Sequence, residues 1–497
     1  MSKTVQLPEW PLKQVRALAS QRGVQVWPVG GVVRDALLER STHDWDFAVE
    51  GDAQGLARAV GDAVGGAYYP LDKERDVGRV LVPQTDGPRL VLDFAALRGP
   101  SLVTDLDGRD FTINAMAVDP EGQLVDPHNG GRDLQEKLLR AVGPWAFDDD
   151  PLRMLRAVRL KAELGLRLEV KTANWIIQRA HTLSNVSAER VRDELVRTLA
   201  SPAPADHTHL LDELQLLTHI IPEIEALKEQ AQSSPHRHDV WWHTLMTLEG
   251  VDMVIGALTD TLPEPAYVDA PQKVWQEIAT ALSQYASRVR AHLKERTPVP
   301  LLLAALFHDL GKPLTCTEDD QGRLHFYSHE IEGARLACER MEQLRFSRTE
   351  VDQVQIMVRS HMRPAHLART EGQVSRRAIY RYFRATGKAG VETVLLSLAD
   401  HLSIWGPNLE QERWSQLLET AGLLLRHWYE HVSETIAPIP LISGRDLMDE
   451  LELEAGPQLG QLLEAVEEAQ AAGEVQTREQ ALELVRRLSD QTRRQAD

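Results

Sequence analysis

Cysteine is nearly absent from this chain, with only Cys316 and Cys338 among 497 residues. Two thiols cannot build a disulfide framework or a four-cysteine zinc site, so a reducing compartment is the expected setting. Long apolar runs are missing too. The longest, VPLLLAALF at 299–307, falls far short of the ~20 residues that a membrane-spanning helix needs. The opening residues MSKTVQLPEWPLKQ carry no apolar signal core. The expectation is a cytoplasmic protein with no membrane partner. Positive charge is in short supply, 55 Lys+Arg against 74 Asp+Glu for a net charge of −19. That balance argues against a generic polyanion binder but leaves room for a local basic face. What the chain does have is 43% apolar and 26% charged residues, enough to bury real cores, which excludes disorder as the main state. Its length predicts about three domains.

Charge is uneven along the chain. Between residues 151 and 200, ten Lys+Arg face five acids, a net-positive stretch in a negative chain that by itself is equally a solvated helix face. Short β-like runs at 24–29, 45–49, 79–82 and 90–94 alternate with helical stretches up to about residue 140. After Phe147 the strand signals fade, and helical periodicity runs almost to the end, broken by Pro-containing segments. The fold class expected is α+β. A small α/β head at 1–140 precedes an all-α neck at 141–230, a helical domain at 235–405 with a helical insertion at about 258–300, and a C-terminal helical segment at 406–497. The last residues, 489–497, are expected to fray.

Gly30-Gly31 closes an apparent strand and opens a helix, where backbone without Cβ can approach a phosphate and helix N–H groups favour anions. On the next strand Asp44 and Asp46 are two apart, so both carboxylates emerge on one face. Such a pair is costly unless a cation sits between them. Mg²⁺ commonly takes one or two carboxylates plus substrate phosphates, and two such ions can clamp an attacking hydroxyl and a leaving pyrophosphate. Further on, Asp150 precedes Pro151, a residue suited to a first helical position, so Asp150 is the expected cap. Arg153, Arg156 and Arg159 then recur every third residue.

GGVVRDALL followed by HDWDF resembles the signature of the class II tRNA nucleotidyltransferase family, the CCA-adding enzymes and bacterial poly(A) polymerases. Four further blocks follow in that family's order: GRDFTINAMA at 108–117, LVDP through GGRDL at 124–134, DDPLRMLRA at 149–157 and SAERVRDEL at 187–195. The resemblance implies that Asp44 and Asp46 hold catalytic Mg²⁺, with Asp93 as third carboxylate. It assigns Gly30, Gly31, Arg34, Arg109, Asp110 and Asn114 to the sugar and triphosphate of the incoming nucleotide. It makes Asp150 and Arg153, with Arg156 and Arg159 beside them, the face that reads CTP or ATP. A carboxylate accepts from an exocyclic amine and a guanidinium donates to ring nitrogen or carbonyl, a pattern that cytosine and adenine share. Arg190 and Arg192 would contact RNA. The partners implied are a tRNA 3′ end, CTP and ATP, and the activity is two-metal addition of the 3′-terminal CCA.

Three departures bear on that activity. Asp149 stands where the family motif usually opens with Glu, and Gly108 where it usually has Arg. Only 15 residues separate Asp93 from Arg109, whereas full CCA-adding members carry a longer flexible loop for the switch from C to A. Members restricted to CC addition resemble the shortened version, and a separate A-adding enzyme would then complete the tail.

A second constellation lies in the helical half. His243, His308-Asp309, His329, His361 and Asp400 are imidazoles and carboxylates on well-separated segments that could converge on a divalent metal. Their order resembles the HD phosphohydrolase superfamily. That resemblance implies His243, His308, Asp309 and Asp400 as ligands of a divalent metal of open identity, with His329 and His361 matching members that hold two metals. A chain that is primarily an HD metallophosphohydrolase, with the head as an RNA-specificity module, is the alternative. LISGRDL at 441–447 resembles the C-terminal segment of HD-bearing members, where packing is favoured over RNA contact.

Overall fold

The protein is described by a computed structural model covering residues 4–84, 87–261, 271–296, 298–370, 372–405, 409–451 and 456–496. It forms two compact units, Met1–Ser187 with Glu213–His219, and Ala188–Asp212 with Ile220–Asp497. Among the described residues, no helix is long and apolar enough to cross a membrane.

The first unit is built on a mixed sheet of β1 (Gln25–Val29), β2 (Asp44–Glu50), β3 (Ala67–Asp72), β4 (Val77–Val82), β5 (Leu90–Ala96), β6 (Ala117–Val118) and β7 (Leu124–Val125), in the order β3-β4-β5-β2-β1-β6-β7. Only β2 and β5 run parallel; the other pairs are antiparallel. Helices α1 (Glu9–Arg22), α2 (Gly31–Leu37) and α3 (Ala53–Val64) accompany the strands, with α4 (Leu102–Asp107) after β5. Period-two alternation explains the sheet. In β2, Trp45, Phe47 and Val49 point into the core and Asp44 and Asp46 point away. Phe47 stacks on Phe94 of β5 with centroids 4.9 Å apart, and Leu56, Val60, Val80 and Leu92 are fully buried around them. The four strand runs read from the sequence are all present. The β3, β6 and β7 strands escaped that reading because they are exposed or only two residues long.

Two further pairs lie where strand signals fade, Leu138–Leu139 with Arg167–Leu168 and Cys316–Glu318 with Leu324–Phe326. Elements this short carry no readable alternation. Helices α5 (Gly130–Gln135), α6 (Trp145–Asp149) and α7 (Arg153–Leu164) follow in the same unit. The regular part of α7 begins at Arg153, not at Pro151. Asp150 is extended and its Oδ1 accepts from the Leu152 N–H at 3.2 Å.

The second unit is helical. Val240–Thr259 is buried on nearly all sides and packs against Gly390–Trp405. At Gly250 a Cβ would lie 2.9 Å from the Ala399 carbonyl, so this glycine permits the close approach. The stretch expected as an insertion is helical at Pro271–Ala281 and Ala286–Arg296. Ile278, Leu282, Tyr285 and Val289 are fully buried there, so these helices belong to the core; its edge at 262–270 lies outside the described residues. At the C-terminus Ile442 and Leu447 join Leu462, Val466 and Val485 in a separate small core, in keeping with packing for that segment. The final helix, Arg478–Ala496, continues through the residues expected to fray.

Gly130 provides a test of how tightly the first unit is built. A Cβ at this position would lie 2.0 Å from the Thr112 carbonyl oxygen, which belongs to the 3₁₀ turn carrying Asn114. Gly130→Ala is expected to destabilise by ~1–3 kcal/mol. Calorimetric unfolding would check this, and wild-type stability would refute the tight fit.

Candidate active site and metal centre

Register assembles the carboxylates. Asp46 of β2 pairs with Asp93 of β5, and Asp93 pairs with Arg79 of β4. Directly paired residues project on one face, so Arg79, Asp93 and Asp46 form a row across three strands, with Asp44 one pleat further along. Arg79 binds Asp93 through two parallel bonds, Nε to Oδ1 and Nη2 to Oδ2, both 2.8 Å. Burial raises the Asp46 pKa; Arg109 opposes the rise, Asp93 adds to it, Arg156 opposes it, and Asp44 adds to it. The Asp46 side chain nevertheless keeps contact with solvent. Carboxylates gathered on one strand face, with Asp93 and Asp44 both raising Asp46, are the donor set a hard divalent cation would neutralise, and the residues therefore fit such a cation.

Above this row Gly30 takes φ +73°, and a Cβ on it would lie 2.9 Å from Arg109 Nη1 and 3.4 Å from Asp46 Oδ2. Its N–H donates to the Met116 carbonyl at 3.0 Å. The tight turn thus brings backbone against both the basic and the acidic groups. Arg34 Nη1 donates to Asn114 Oδ1 at 2.7 Å, Asn114 Nδ2 donates to Asp110 Oδ1 at 3.0 Å, and Arg156 Nε donates to Asp110 Oδ2 at 3.0 Å. Burial alone would raise the Asp110 carboxyl, but Arg156, the Asn114 amide, Arg153 and the Phe111 N–H outweigh it and hold the pKa at about 2. Arg153 Nη2 donates to the Gly108 carbonyl at 3.0 Å and Nη1 to that of Ala146 at 3.2 Å.

One predicted residue stands apart. Arg159 is 8% exposed and pairs with Glu163 along its own helix at 2.8 Å, so a three-residue spacing turned it inward. In the second unit, Arg192 binds the neighbouring Asp193 carboxylate at 2.8 Å; neither it nor Arg190, which is exposed, marks a ligand by its geometry. Sequence reasoning missed Arg79 and Asp105. Asp105 is 3% exposed, and its carboxylate accepts from the Arg98 N–H at 3.2 Å and from Arg109 Nη2 at 3.1 Å. Arg79 interrupts the apolar run VGRVLV, a visible oddity whose partner only strand register reveals.

The second unit gathers the other constellation. His243 Nε2 lies 3.2 Å from His308 Nε2, 3.3 Å from Asp309 Oδ2 and 3.1 Å from Asp400 Oδ1. His308 Nε2 is 3.1 Å from Asp309 Oδ2, and His329 Nε2 is 3.4 Å from Asp309 Oδ1. Two donor sets emerge, His243-His308-Asp309 and Asp309-His329-His361, sharing Asp309 and almost wholly buried. Each ring is held from behind. The Nδ1 atoms of His308, His329 and His361 meet the carbonyls of Ala305, Phe326 and Val358 at 2.8, 2.7 and 2.7 Å, and His243 Nδ1 meets Ser403 Oγ at 2.9 Å. A carbonyl can only accept, so three Nδ1 atoms carry a proton and, in the neutral ring, the matching Nε2 turns its lone pair inward. Buried lone pairs converging with carboxylates fit a divalent cation, and backbone-anchored imidazoles are how metal ligands are commonly oriented. Burial pushes His361 down to about 3, leaving it neutral and able to ligate. Lys312 Nζ lies 2.6 Å from Asp309 Oδ2 and donates to Gln232 Oε1. His236, overlooked in the sequence, brings its ring to 5.3 Å from that of His243. His401, beside Asp400, stacks on Trp414 instead of joining the centre.

A glycine turn against paired strand carboxylates, followed by basic groups on a helix, defines a nucleotidyltransferase head, and comparison with known proteins agrees. The family model described as "Poly A polymerase head domain" matches residues 26–140, that described as "Probable RNA and SrmB- binding site of polymerase A" matches 165–228, and "HD domain" matches 277–405. An A-adding tRNA nucleotidyltransferase of Deinococcus radiodurans is 33% identical over 473 residues, covering 93% of this chain and 95% of the relative. A CC-adding tRNA nucleotidyltransferase of Thermus thermophilus is 32% identical, covering 92% of each. A Thermotoga maritima CCA-adding enzyme solved with tRNA shares the fold with a TM-score of 0.61 at 19% identity, over 98% of this chain and 99% of that one. The chain belongs to the tRNA nucleotidyltransferase family, and it is an enzyme of the nucleotidyltransferase type.

Two measurements test the sites. The Asp110 carboxyl is depressed to about 2, so its ionised form contributes about 2 kcal/mol of stability above pH ~4, lost as pH falls towards 2. The unfolding gap between wild type and Asp110→Asn should hold from pH 7 to 5 and narrow below 4; a gap insensitive to acid would refute the clamp. In the second unit, Asp309→Asn should lose most of the divalent metal found by elemental analysis of the purified protein, and undiminished metal content would refute the shared-ligand geometry.

Proposed function

We propose that the head extends the 3′ end of tRNA by nucleotidyl transfer from CTP and stops after two C residues, leaving the terminal A to a separate enzyme. The 3′-hydroxyl attacks the α-phosphorus and pyrophosphate leaves. Asp44 and Asp46 would hold Mg²⁺, which when bound would supply Lewis-acid activation of the hydroxyl and charge neutralisation on the phosphates. Asp93, held by Arg79, keeps the third carboxylate oriented beside that pair. Arg109 and the Gly30 turn receive the triphosphate, while Arg34, Asn114 and Asp110 form the bonded frame around the sugar. Asp150 and Arg153 read the base edge, a carboxylate accepting from the amine and a guanidinium donating to the ring.

The single observation that carries the restriction is the connection between β5 and α4, five residues long at 97–101. It has little slack. The Leu97 N–H donates to the Val49 carbonyl at 3.0 Å, the Arg98 N–H to Asp105, and Ser101 Oγ caps α4 by accepting from the Thr104 N–H. The family resemblance ties a short connection here to CC addition alone, and end-to-end similarity to relatives named CC-adding supports it, whereas the relative named A-adding makes addition of A to a CC end a competing outcome. Full CCA addition is the other.

A second reading concerns the other unit, where the buried imidazole–carboxylate cluster favours a divalent metal centre that hydrolyses phosphoesters. Lys312, against Asp309, is the available cation for a phosphate oxygen.

The deciding experiment extends a labelled tRNA lacking CCA with Mg²⁺ and CTP, ATP or both. Stopping after two C, with ATP unused even on a tRNA ending in CC, is the expected result. Three added residues, or A alone on a CC end, would overturn the restriction. Asp44→Ala with Asp46→Ala should abolish incorporation by more than about a thousandfold and leave RNA binding intact; full activity in that variant would overturn the head assignment.

A further inference from the structure

Gly108 lies between two arginines. Its carbonyl accepts from Arg153 Nη2 at 3.0 Å and from Arg98 Nη1 at 3.2 Å. A carbonyl oxygen has two lone pairs, and here both are used by guanidinium groups. Gly108 has no side chain, and the place where its Cβ would stand is 3.8 Å from Arg98 Cδ. The Arg98 side chain therefore occupies the surface that a residue at 108 would otherwise cover. Arg98 is exposed along its length, but its backbone N–H is fixed to the buried Asp105, which also holds Arg109. One five-residue connection thus reaches the Arg109 end of the site through Asp105 and the Arg153 end through Gly108.

We infer that Arg98 is a positioning residue for nucleotide selection. Its guanidinium takes the second lone pair of the Gly108 carbonyl and confines Arg153 to the pose set by Gly108 and Ala146. Like charges on one carbonyl leave Arg153 no route across Gly108, so the guanidinium fork meets an incoming pyrimidine edge at one angle. The ligand class concerned is a nucleoside triphosphate whose base offers a ring carbonyl beside a ring nitrogen, as cytosine does and adenine does not. This inference rests on the reading of Arg153 as base-selecting.

The test uses the full chain with Mg²⁺, tRNA lacking CCA, and CTP or ATP, comparing Arg98→Ala, Arg98→Lys, Arg153→Ala and the double variant Arg98→Ala/Gly108→Arg. Truncating Arg98 leaves its backbone bond to Asp105 in place, so thermal unfolding should stay within a degree or two of wild type. In Arg98→Ala, KM for CTP should rise about tenfold with kcat changed far less, and the preference for CTP over ATP should fall. Lysine, a cation without a fork, should recover only part of the loss. The double variant should recover most of it, since an arginine from position 108 can reach the space Arg98 vacates. Unchanged KM and unchanged CTP preference in Arg98→Ala would overturn the inference, as would a loss that tracks unfolding alone. Equilibrium titration with CTP separates the two levels. If Arg153→Ala binds CTP as wild type does, the base-selecting reading of Arg153 fails. If Arg153→Ala weakens binding and Arg98→Ala does not, only the role of Arg98 fails.

Discussion

Mutual repulsion among Asp44, Asp46 and Asp93 is the constraint around which the first unit is organised. Strand register sets Asp46 beside Asp93 on one face, where negative charges resist being gathered in partly desolvated surroundings. The protein offsets this with fixed cations from other elements. Arg79 forks onto Asp93 from β4, while Arg109 and Arg156 lower the cost at Asp46. The positive φ at Gly30 follows from the same crowding, because a side chain there would collide with Arg109 and crowd Asp46. With Asp93 engaged by Arg79, Asp44 and Asp46 are the carboxylates left to meet a divalent cation.

Two buried aspartates carry this order outward. Asp105 joins the β5–α4 connection to Arg109, and Asp110 joins Asn114, and through it Arg34, to Arg156 on α7. Breaking one partner of such a buried network leaves the remaining groups unsatisfied, so its members move together or not at all. That rigidity is what the proposed base-reading pair, Asp150 and Arg153, would need in order to hold one pose.

The second unit meets a related problem by different means. Its four imidazoles are oriented from behind, three by backbone carbonyls at the ends of their own turns and one by Ser403. Among the described residues, the inward nitrogens meet one another and the carboxylates, the set a cation would join. Carbonyl anchors cannot donate, so they settle the tautomer as well as the direction of each ring. The cluster therefore fits a metal through its tautomers as much as through its residue types.

Much of this was legible along the chain. The Asp44/Asp46 spacing, the Gly30-Gly31 turn, the strands that carry them and the ordered His and Asp motifs all follow from local rules, since backbone geometry alone puts alternate strand residues on one face. Other features were not legible. Arg159 shares the spacing of Arg153 and Arg156 yet turns inward to Glu163, because burial of the helix face outweighed periodicity. Arg79 beside Asp93, Asp105 beneath Arg98 and Arg109, and His243 against His308 and Asp400 depend on register and packing between distant segments. Residue types and local directions were thus determined by the sequence itself. Which charges meet was decided only by the tertiary structure, because strand register and helix approach are chosen by the whole core at once and leave no periodic trace near the residues they bring together.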